Sequence, residues 1–361
     1  LIVSRSPRAS GYFRTAYDQD LALVQTRLER TSLGVFIVAL LAFPLIASPF
    51  QLDLACQVFL TSIGSISLML LTGYAGQISL GHAGLLAAGA FTVGILFREA
   101  NAPFWITLPA AAAVGGLLGI IFGLPSLRLR GLYLAVSTLA LHFVVIYLGG
   151  EYETRRGFST GIVVDPPKLG GVSITDARAW YFILLGAAAA TLFVCLNLLR
   201  ARTGRAWRAL RTRETVAEAL GIGVASYKLL AFVISSAATA VAGALFAYYR
   251  GFVSVEAFSL FLTIQYLAMV IIGGMGSLLG ALLGAIFVTL FPYIIEIGLL
   301  ALPGAQRHAS LLFAVNYAAF GLVMILFLMF EPLGLVGMWR RMQNYFLLWP
   351  FKHRPAAGSR G

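Results

Sequence analysis

The stretch FLTIQYLAMVIIGGMGSLLGALLGAIFVTLFPYIIEIG, residues 261–298, carries one charged side chain, Glu296. As a single helix it would rise roughly 57 Å, nearly twice a hydrocarbon core of about 30 Å. It has to break, and Gly273-Gly274-Met275-Gly276-Ser277 is where glycine frees the backbone. Two apolar spans back to back define a polytopic helical membrane protein. Barrel strands would alternate apolar and polar residues over about ten positions, and this stretch does not. The composition of the whole 361-residue chain agrees. Hydrophobic residues make up 60% and charged residues 11%, too few charges to cover a soluble protein of this size.

The same reading of lengths and breakers gives ten spans. Segment 1 covers about Leu33 to Phe50, segment 2 Leu54 to Thr72, and segment 3 runs from the glycine-rich stretch after Gly73 to Phe97. Segment 4 covers Phe104 to Leu124, segment 5 Leu132 to Gly149, segment 6 Ala179 to Leu199 and segment 7 Leu229 to Tyr249. Segments 8 and 9 are the two halves of the opening stretch, and segment 10 covers Leu311 to Phe330. The fold expected is an all-α integral membrane protein of about ten transmembrane helices. Segments 2–5 and 7–10 run in opposed directions, as inverted repeats require. Three regions follow: an N-terminal tail (1–32), a polytopic transmembrane domain (33–330) and a C-terminal tail (331–361). The domain carries polar loops at 151–178 and 200–228.

Charge orients these spans. The net charge is +12, which in a soluble chain would suggest nucleic acid. Here nineteen of the 26 basic residues lie in the N-tail, the Arg128/Arg130 loop, the 200–228 loop and the C-tail. By the positive-inside rule those pieces are cytoplasmic, both termini included, and the 151–178 loop is external. The partner of the basic residues is then the lipid bilayer and not nucleic acid. Leu21, Val24 and Leu28 share a face of a helix over Ala16 to Thr31. Trp339, Tyr345, Phe346 and Trp349 mix with Arg340, Arg341 and Lys352. Both pieces suit the headgroup level.

No HExxH, P-loop or GxSxG occurs, and His82, His142, His308 and His353 have no metal spacing, so no catalytic or metal site is expected. Intramembrane acids are nearly absent, with Glu296 the main one, so proton coupling lacks a carboxylate relay. An intramembrane enzyme would need His82 and His142 to converge without an acid. Four stretches remain. In Leu71 to Gly84, Gln77, Ser79 and His82 interrupt apolar sequence among four glycines. A broken helix there, facing Ser137 and Thr138 of segment 5, would line a solute path; close packing is the alternative. Gly276, Gly280 and Gly284 recur every four residues and suit helix packing. Glu214 to Leu220 forms a short helix stopped by Gly221, with Glu214, Glu218 and Ala219 available to a partner. On the outer side Arg155, Arg156, Gly157, Thr160 and Gly161 would either meet a carboxylate or cap the loop.

Together, Thr72-Gly73-Tyr74-Ala75-Gly76-Gln77-Ile78-Ser79-Leu80-Gly81-His82-Ala83, Arg128-Leu129-Arg130-Gly131-Leu132-Tyr133, Gly204-Arg205-Ala206-Trp207-Arg208-Ala209-Leu210-Arg211, Glu218-Ala219-Leu220-Gly221-Ile222, Tyr227-Lys228-Leu229-Leu230-Ala231-Phe232 and Gly273-Gly274-Met275-Gly276-Ser277-Leu278-Leu279-Gly280 resemble the LivM-type permeases of ABC importers for branched-chain and related hydrophobic amino acids. The resemblance covers most of residues 54–300. It implies a translocating subunit that binds no cofactor itself, working in the bacterial cytoplasmic membrane. It implies four partners: a second permease of the LivH type, two ATP-binding subunits that use ATP and Mg, and an extracytoplasmic solute-binding protein. The Glu218-Ala219 piece resembles the loop that meets the ATPases. The 156–161 stretch departs from the family's usual Gly-Gly-small-polar-Gly pattern. The alternative is a self-sufficient channel or secondary transporter for a small neutral, amide or urea-like solute.

Overall fold

The computed structural model describes residues 27–127, 129, 131–158, 161–169, 172–300, 309–331 and 333–348. Most of the 16–31 piece, Arg128, Arg130, Thr160, Trp349 and Lys352 lie outside them. Two compact units emerge, one from the flanks (1–48 and 337–361) and one from Pro49–Val336.

In the flanking unit, α1 (Arg27–Ile46) starts before the expected Leu33 and stops before Phe50. Pro49 instead opens the next helix, where its missing N–H costs nothing. The α1 side chains Val35, Phe36, Val38 and Ile46 are exposed, an apolar surface suited to lipid.

The main unit begins with α2 (Pro49–Leu68), whose last turn widens into a π-turn at Met69–Tyr74. After a non-helical segment come α3 (His82–Ala100), α4 (Phe104–Ser126) and α5 (Leu132–Arg156). Strands β1 (Ile162–Val163), β2 (Lys168–Leu169) and β3 (Val172–Ser173) lead to α6 (Ala177–Arg200). Then follow α7 (Arg202–Thr212), α8 (Glu214–Ala219), α9 (Val224–Arg250), strand β4 (Phe252–Val253) and a 3-10 turn at Val255–Phe258. Helices α10 (Leu260–Gly273), α11 (Leu278–Leu300) and α12 (Ala309–Phe330) complete the bundle, and α13 (Gly334–Leu348) follows in the chain.

Seven of the described helices are long and apolar enough to span a membrane, and three shorter apolar helices fall on segments 1, 8 and 10. The opening stretch breaks where glycine allows, between α10 and α11. Two departures have local causes. Helix α5 continues past Gly149 to Arg156, because Arg155 pairs with Glu151 one turn back at 2.6 Å and both arginines sit favourably at the helix's negative end. Gly157, at φ 72°, then stops it. In the 200–228 loop, α7 is a second helix that the sequence reading left out. It is amphipathic: Trp207, Leu210, Ala206 and Gly204 are buried beneath its arginines.

Helix α9 is the centre of the unit, packed on α2, α3 and, most extensively, α4. Small residues make this possible. A Cβ on Gly89 of α3 would strike the Ala240 carbonyl of α9, and one on Gly243 would strike the Leu86 carbonyl of α3. On α4, Gly115, Gly119 and Gly123 lie against Ser236, Val233 and Leu229. Lipid is as apolar as leucine, so helices associate through close contact and hydrogen bonds. Ser235 Oγ donates to the Ser67 carbonyl at 2.7 Å, and Ser65 Oγ to that of Ala281 at 3.1 Å.

At one end of the bundle lie α7, the π-turn and the α10–α11 break. At the other, β1 pairs antiparallel with β4 (Ile162 opposite Val253), and Tyr249 of α9 donates to the Asp53 carboxylate of α2. Helix α2 runs toward the α7 end and α9 runs away from it.

Gly89→Val places a branched side chain where the Ala240 backbone lies and forces α3 off α9. Thermal unfolding in detergent should show a loss of about 1–3 kcal/mol. Gly186→Val, with nothing near its Cβ, should leave the transition unchanged.

Candidate functional site

The polar stretch after α2 forms a strap. Gly76 adopts φ +71°, and the chain stays non-helical through Gly81. Its backbone groups find partners around it. Thr72 Oγ1 donates to the Gln77 carbonyl at 3.1 Å, and the Gln77 N–H donates to the Leu71 carbonyl. The Leu80 N–H donates to Thr138 Oγ1 of α5 at 2.8 Å, and the Gly81 N–H to Ser79 Oγ at 3.3 Å. Irregular backbone at membrane depth survives only when protein or a polar cavity satisfies it in this way.

The strap climbs back along α2, so that α3 begins deep. The His82 ring lies 4.6 Å from that of Tyr266, which abuts Gly64 of α2, and the Ala83 N–H donates to Thr263 Oγ1 at 3.0 Å. A Cβ on Gly84 would meet His142 Cα. Gly64 is ten residues short of Tyr74, Thr263 ten short of Gly273, and His142 ten beyond Leu132. Three helices therefore place the start of α3 about 15 Å in from the α7 end, near the middle of a ~30 Å core. The sequence reading began segment 3 inside the glycine-rich stretch; the helix waits until His82 because the glycines form the strap.

Gln77, Ser79, His82 and Thr138 are all nearly fully buried. Gln77 Oε1 and Nε2, His82 Nε2 and His142 Nδ1 have no hydrogen-bond partner. Ser137 is half-buried. Gly81 and Gly84 bring the strap and the start of α3 into direct contact with the α5 backbone, beside Ser137 and Thr138. A cavity of about 290 Å³ lies among α2, α9, α10 and α11, lined by Thr61, Thr289, Tyr293 and Arg250 among others. Tyr266 is part of its wall, and its ring lies 4.6 Å from that of His82.

At the α7 end, Arg211 joins the strap to the second glycine break. Its Nη1 donates to the Gly73 carbonyl at 2.5 Å. A Cβ on Gly76 would sit 3.2 Å from Arg211 Cα, and one on Gly276 would strike Arg211 Nη1. Arg208 lies over the Tyr74 ring at 5.9 Å. Gly276, expected in a packing stripe with Gly280 and Gly284, precedes α11 at φ +88° and makes room for Arg211. Gly280 and Gly284 do face a neighbouring helix, against the Gly273 and Met269 backbone of α10.

Helix α8 follows. Glu214 pairs with Lys228 of α9 at 2.5 Å, and Ala217 is buried. Glu218 and Ala219 are exposed, as are the apolar Val216 and Leu220. Gly221 takes φ +80° with open space around it. At the opposite end Arg156 pairs with Glu99 at 2.7 Å, and Tyr152 donates to the same carboxylate. Arg155 is held by Glu151. Both arginines are thus neutralised by carboxylates. Gly161, at φ +97°, brings the loop against the Val253 carbonyl.

Sequence reasoning missed Arg211, Asp53 and the Gly115/Gly119/Gly123 stripe. Four-residue glycine spacing was there to be read on α4. Asp53 was placed ahead of segment 2, yet it sits inside α2, held by Tyr249 and by Gln57 Nε2 at 2.6 Å. Nothing local distinguishes Arg211 from the five other arginines of the loop.

A bundle of apolar helices around a polar strap, with an exposed helix at one end, defines a multi-pass membrane protein of the permease class. The chain belongs to the family described as the permease component of the branched-chain amino acid transport system, which it matches over residues 51–329. It is 35% identical over 280 residues to the high-affinity branched-chain amino acid transport system permease protein LivM of Salmonella typhimurium, covering 70% of this chain and 66% of that one. The LivM of Escherichia coli K12 gives the same identity and coverage. The probable LivM of Methanocaldococcus jannaschii is 30% identical over 237 residues, covering 63% of this chain and 66% of that one. The chain thus spans 66% of the length of the curated relatives it matches. Those relatives are permease proteins, not enzymes. No solved structure matches.

Arg211→Ala removes the donor to Gly73. Amide hydrogen exchange over residues 73–81 should quicken severalfold, with about 1 kcal/mol lost from the local opening energy. Arg213→Ala should leave that segment as protected as before.

Proposed function

We propose that this chain is the translocating permease subunit of an ABC importer for branched-chain or related hydrophobic amino acids. The family match over residues 51–329 carries the reading. Its partners in this reading are a second permease of the LivH type, two ATP-binding subunits and an extracytoplasmic solute-binding protein. ATP and Mg bind to the ATP-binding subunits and supply the energy. The α7 end faces the cytoplasm of a bacterial inner membrane, with both termini on that side.

In this mechanism α8 is the docking piece. An isolated six-residue helix is unstable in water. The Glu214–Lys228 pair and the buried Ala217 hold this one to α9, leaving Val216 and Leu220 to enter a partner's groove. Closure of the ATP-binding subunits moves α8, and the adjoining α7 passes the movement through Arg211 to Gly73 and Gly276. Those contacts sit where both glycine breaks meet the loop, so a small shift of α7 changes the strap and the α10–α11 turn together. Gln77, Ser79, His82, Ser137 and Thr138 form the mid-depth part of the path. Their polar atoms become available to solute as the strap moves.

Coexpressed with the other subunits and reconstituted, the complex should take up leucine only with ATP and the solute-binding protein. Val216→Asp combined with Leu220→Asp alters only exposed positions. It should leave the permease inserted, lose the ATP-binding subunits on purification and cut uptake at least about tenfold. Uptake at the wild-type level would overturn the docking role. Orientation is checked separately. A cysteine replacing Thr212 should resist an impermeant thiol reagent in intact cells and react in inverted vesicles.

A further inference from the structure

The cavity among α2, α9, α10 and α11 has chemistry that the strap does not use. Arg250, the last residue of α9, stands at the end away from α7 and forms part of the cavity lining. No carboxylate pairs with it among the described residues, its only charge-related contact being with the Tyr249 ring at 5.9 Å. The Gln265 amide also lines the space and has no hydrogen-bond partner among the described residues. One wall is a polar stripe between α2 and α11. There Thr61 and Thr289 share a hydrogen bond at 2.9 Å, and Tyr293 donates to Gln57 Oε1 at 3.2 Å. The remaining lining is chiefly apolar, including Leu86, Met269 and Val288. A free cation at one end, amide and hydroxyl acceptors along one side and apolar walls elsewhere match a small amphipathic zwitterion. At about 290 Å³ the space is at the small end of ligand pockets, the size of one amino acid and not of a peptide.

We propose that this chamber is a solute site within the single permease chain, binding a free α-amino acid with an apolar side chain. The carboxylate meets Arg250, the ammonium meets oxygen acceptors of the Gln57–Thr289 stripe, and the side chain lies on Leu86, Met269 and Val288. The site rests on the importer reading for its substrate class. It adds a location distinct from the strap. Tyr266 connects the two, because the residue that closes the chamber on one side carries the His82 ring on the other. A solute held in the chamber is thus one side chain away from the buried start of α3.

The test uses the full-length chain in its reconstituted complex, with Cys56→Ala and Cys195→Ala to remove the two buried native thiols. Thr289→Cys places a thiol on the polar stripe. A small, charged, water-borne methanethiosulfonate reagent should modify it, and leucine should slow modification at least threefold. Leucinamide, which lacks the carboxylate, should not. Arg250→Gln should weaken protection by leucine roughly tenfold, as expected for loss of one charge-assisted contact, read as the leucine concentration that half-protects and so independent of the reagent's own rate. Arg250→Lys should recover part of the protection. An unmodified thiol, or one modified only by an apolar maleimide dissolved in the bilayer, would mean a sealed or lipid-filled space and would overturn the proposal. So would modification at one rate with and without leucine. Protection is read independently of transport. Protection without ATP-driven uptake retains the site and discards the importer reading; uptake without protection does the reverse.

Discussion

The close approach of α9 to α3 and α4 is the constraint on which the rest of this structure depends. In a membrane the hydrophobic effect does not pull helices together, so adhesion comes from contact at short range. Gly89 and Gly243 let the two backbones of α3 and α9 meet, and Gly115, Gly119 and Gly123 do the same for α4. With α9 fixed in the middle, α2 is held by serine hydrogen bonds, and large side chains such as Phe182, Phe193 and Trp105 turn outward. Small and polar residues occupy the closest helix–helix contacts, while many bulky apolar side chains face outward to where lipid would lie.

That rigid centre is what allows an irregular strap. An extended chain buried in apolar surroundings would leave its amides unsatisfied at a cost of several kcal/mol each. Here Thr72, Thr138 and Thr263 lie on three separate helices and each serves a backbone group of the strap or of the first turn of α3. Each works only because the helices are already positioned. Among the described residues, the buried side-chain atoms of Gln77, His82 and His142 that lack a hydrogen-bond partner lie near where α3 begins. Threonine side chains thus satisfy backbone groups of the strap and the start of α3, while these four side-chain atoms stay without a partner beside them.

The two ends of the molecule are built differently. At the α7 end, guanidinium groups touch carbonyls and an aromatic ring across long sequence separations, tying three segments into one node. At the other end, Arg155 and Arg156 are spent on nearby carboxylates. The first arrangement ties segments distant in sequence, and the second neutralises arginines at a surface. Arginine serves in both because its planar fork can bind a carbonyl or a carboxylate without losing charge.

The sequence by itself determined the class, the spans and their breaks, and the short helix ended by Gly221. Each of these follows from length, apolar run and backbone freedom, which are local. It also marked Gln77, Ser79 and His82, since polar residues in an apolar run are visible without coordinates. Only the tertiary structure decided that the strap is extended, that α3 starts near mid-depth, and that Gly276 makes room for a side chain and does not join a packing stripe. Arg211, Asp53 and the chamber beside Tyr266 came from it as well. In each case the deciding contact joins segments dozens to hundreds of residues apart. No periodicity along one helix records which carbonyl, ring or glycine will stand opposite it once the helices have packed.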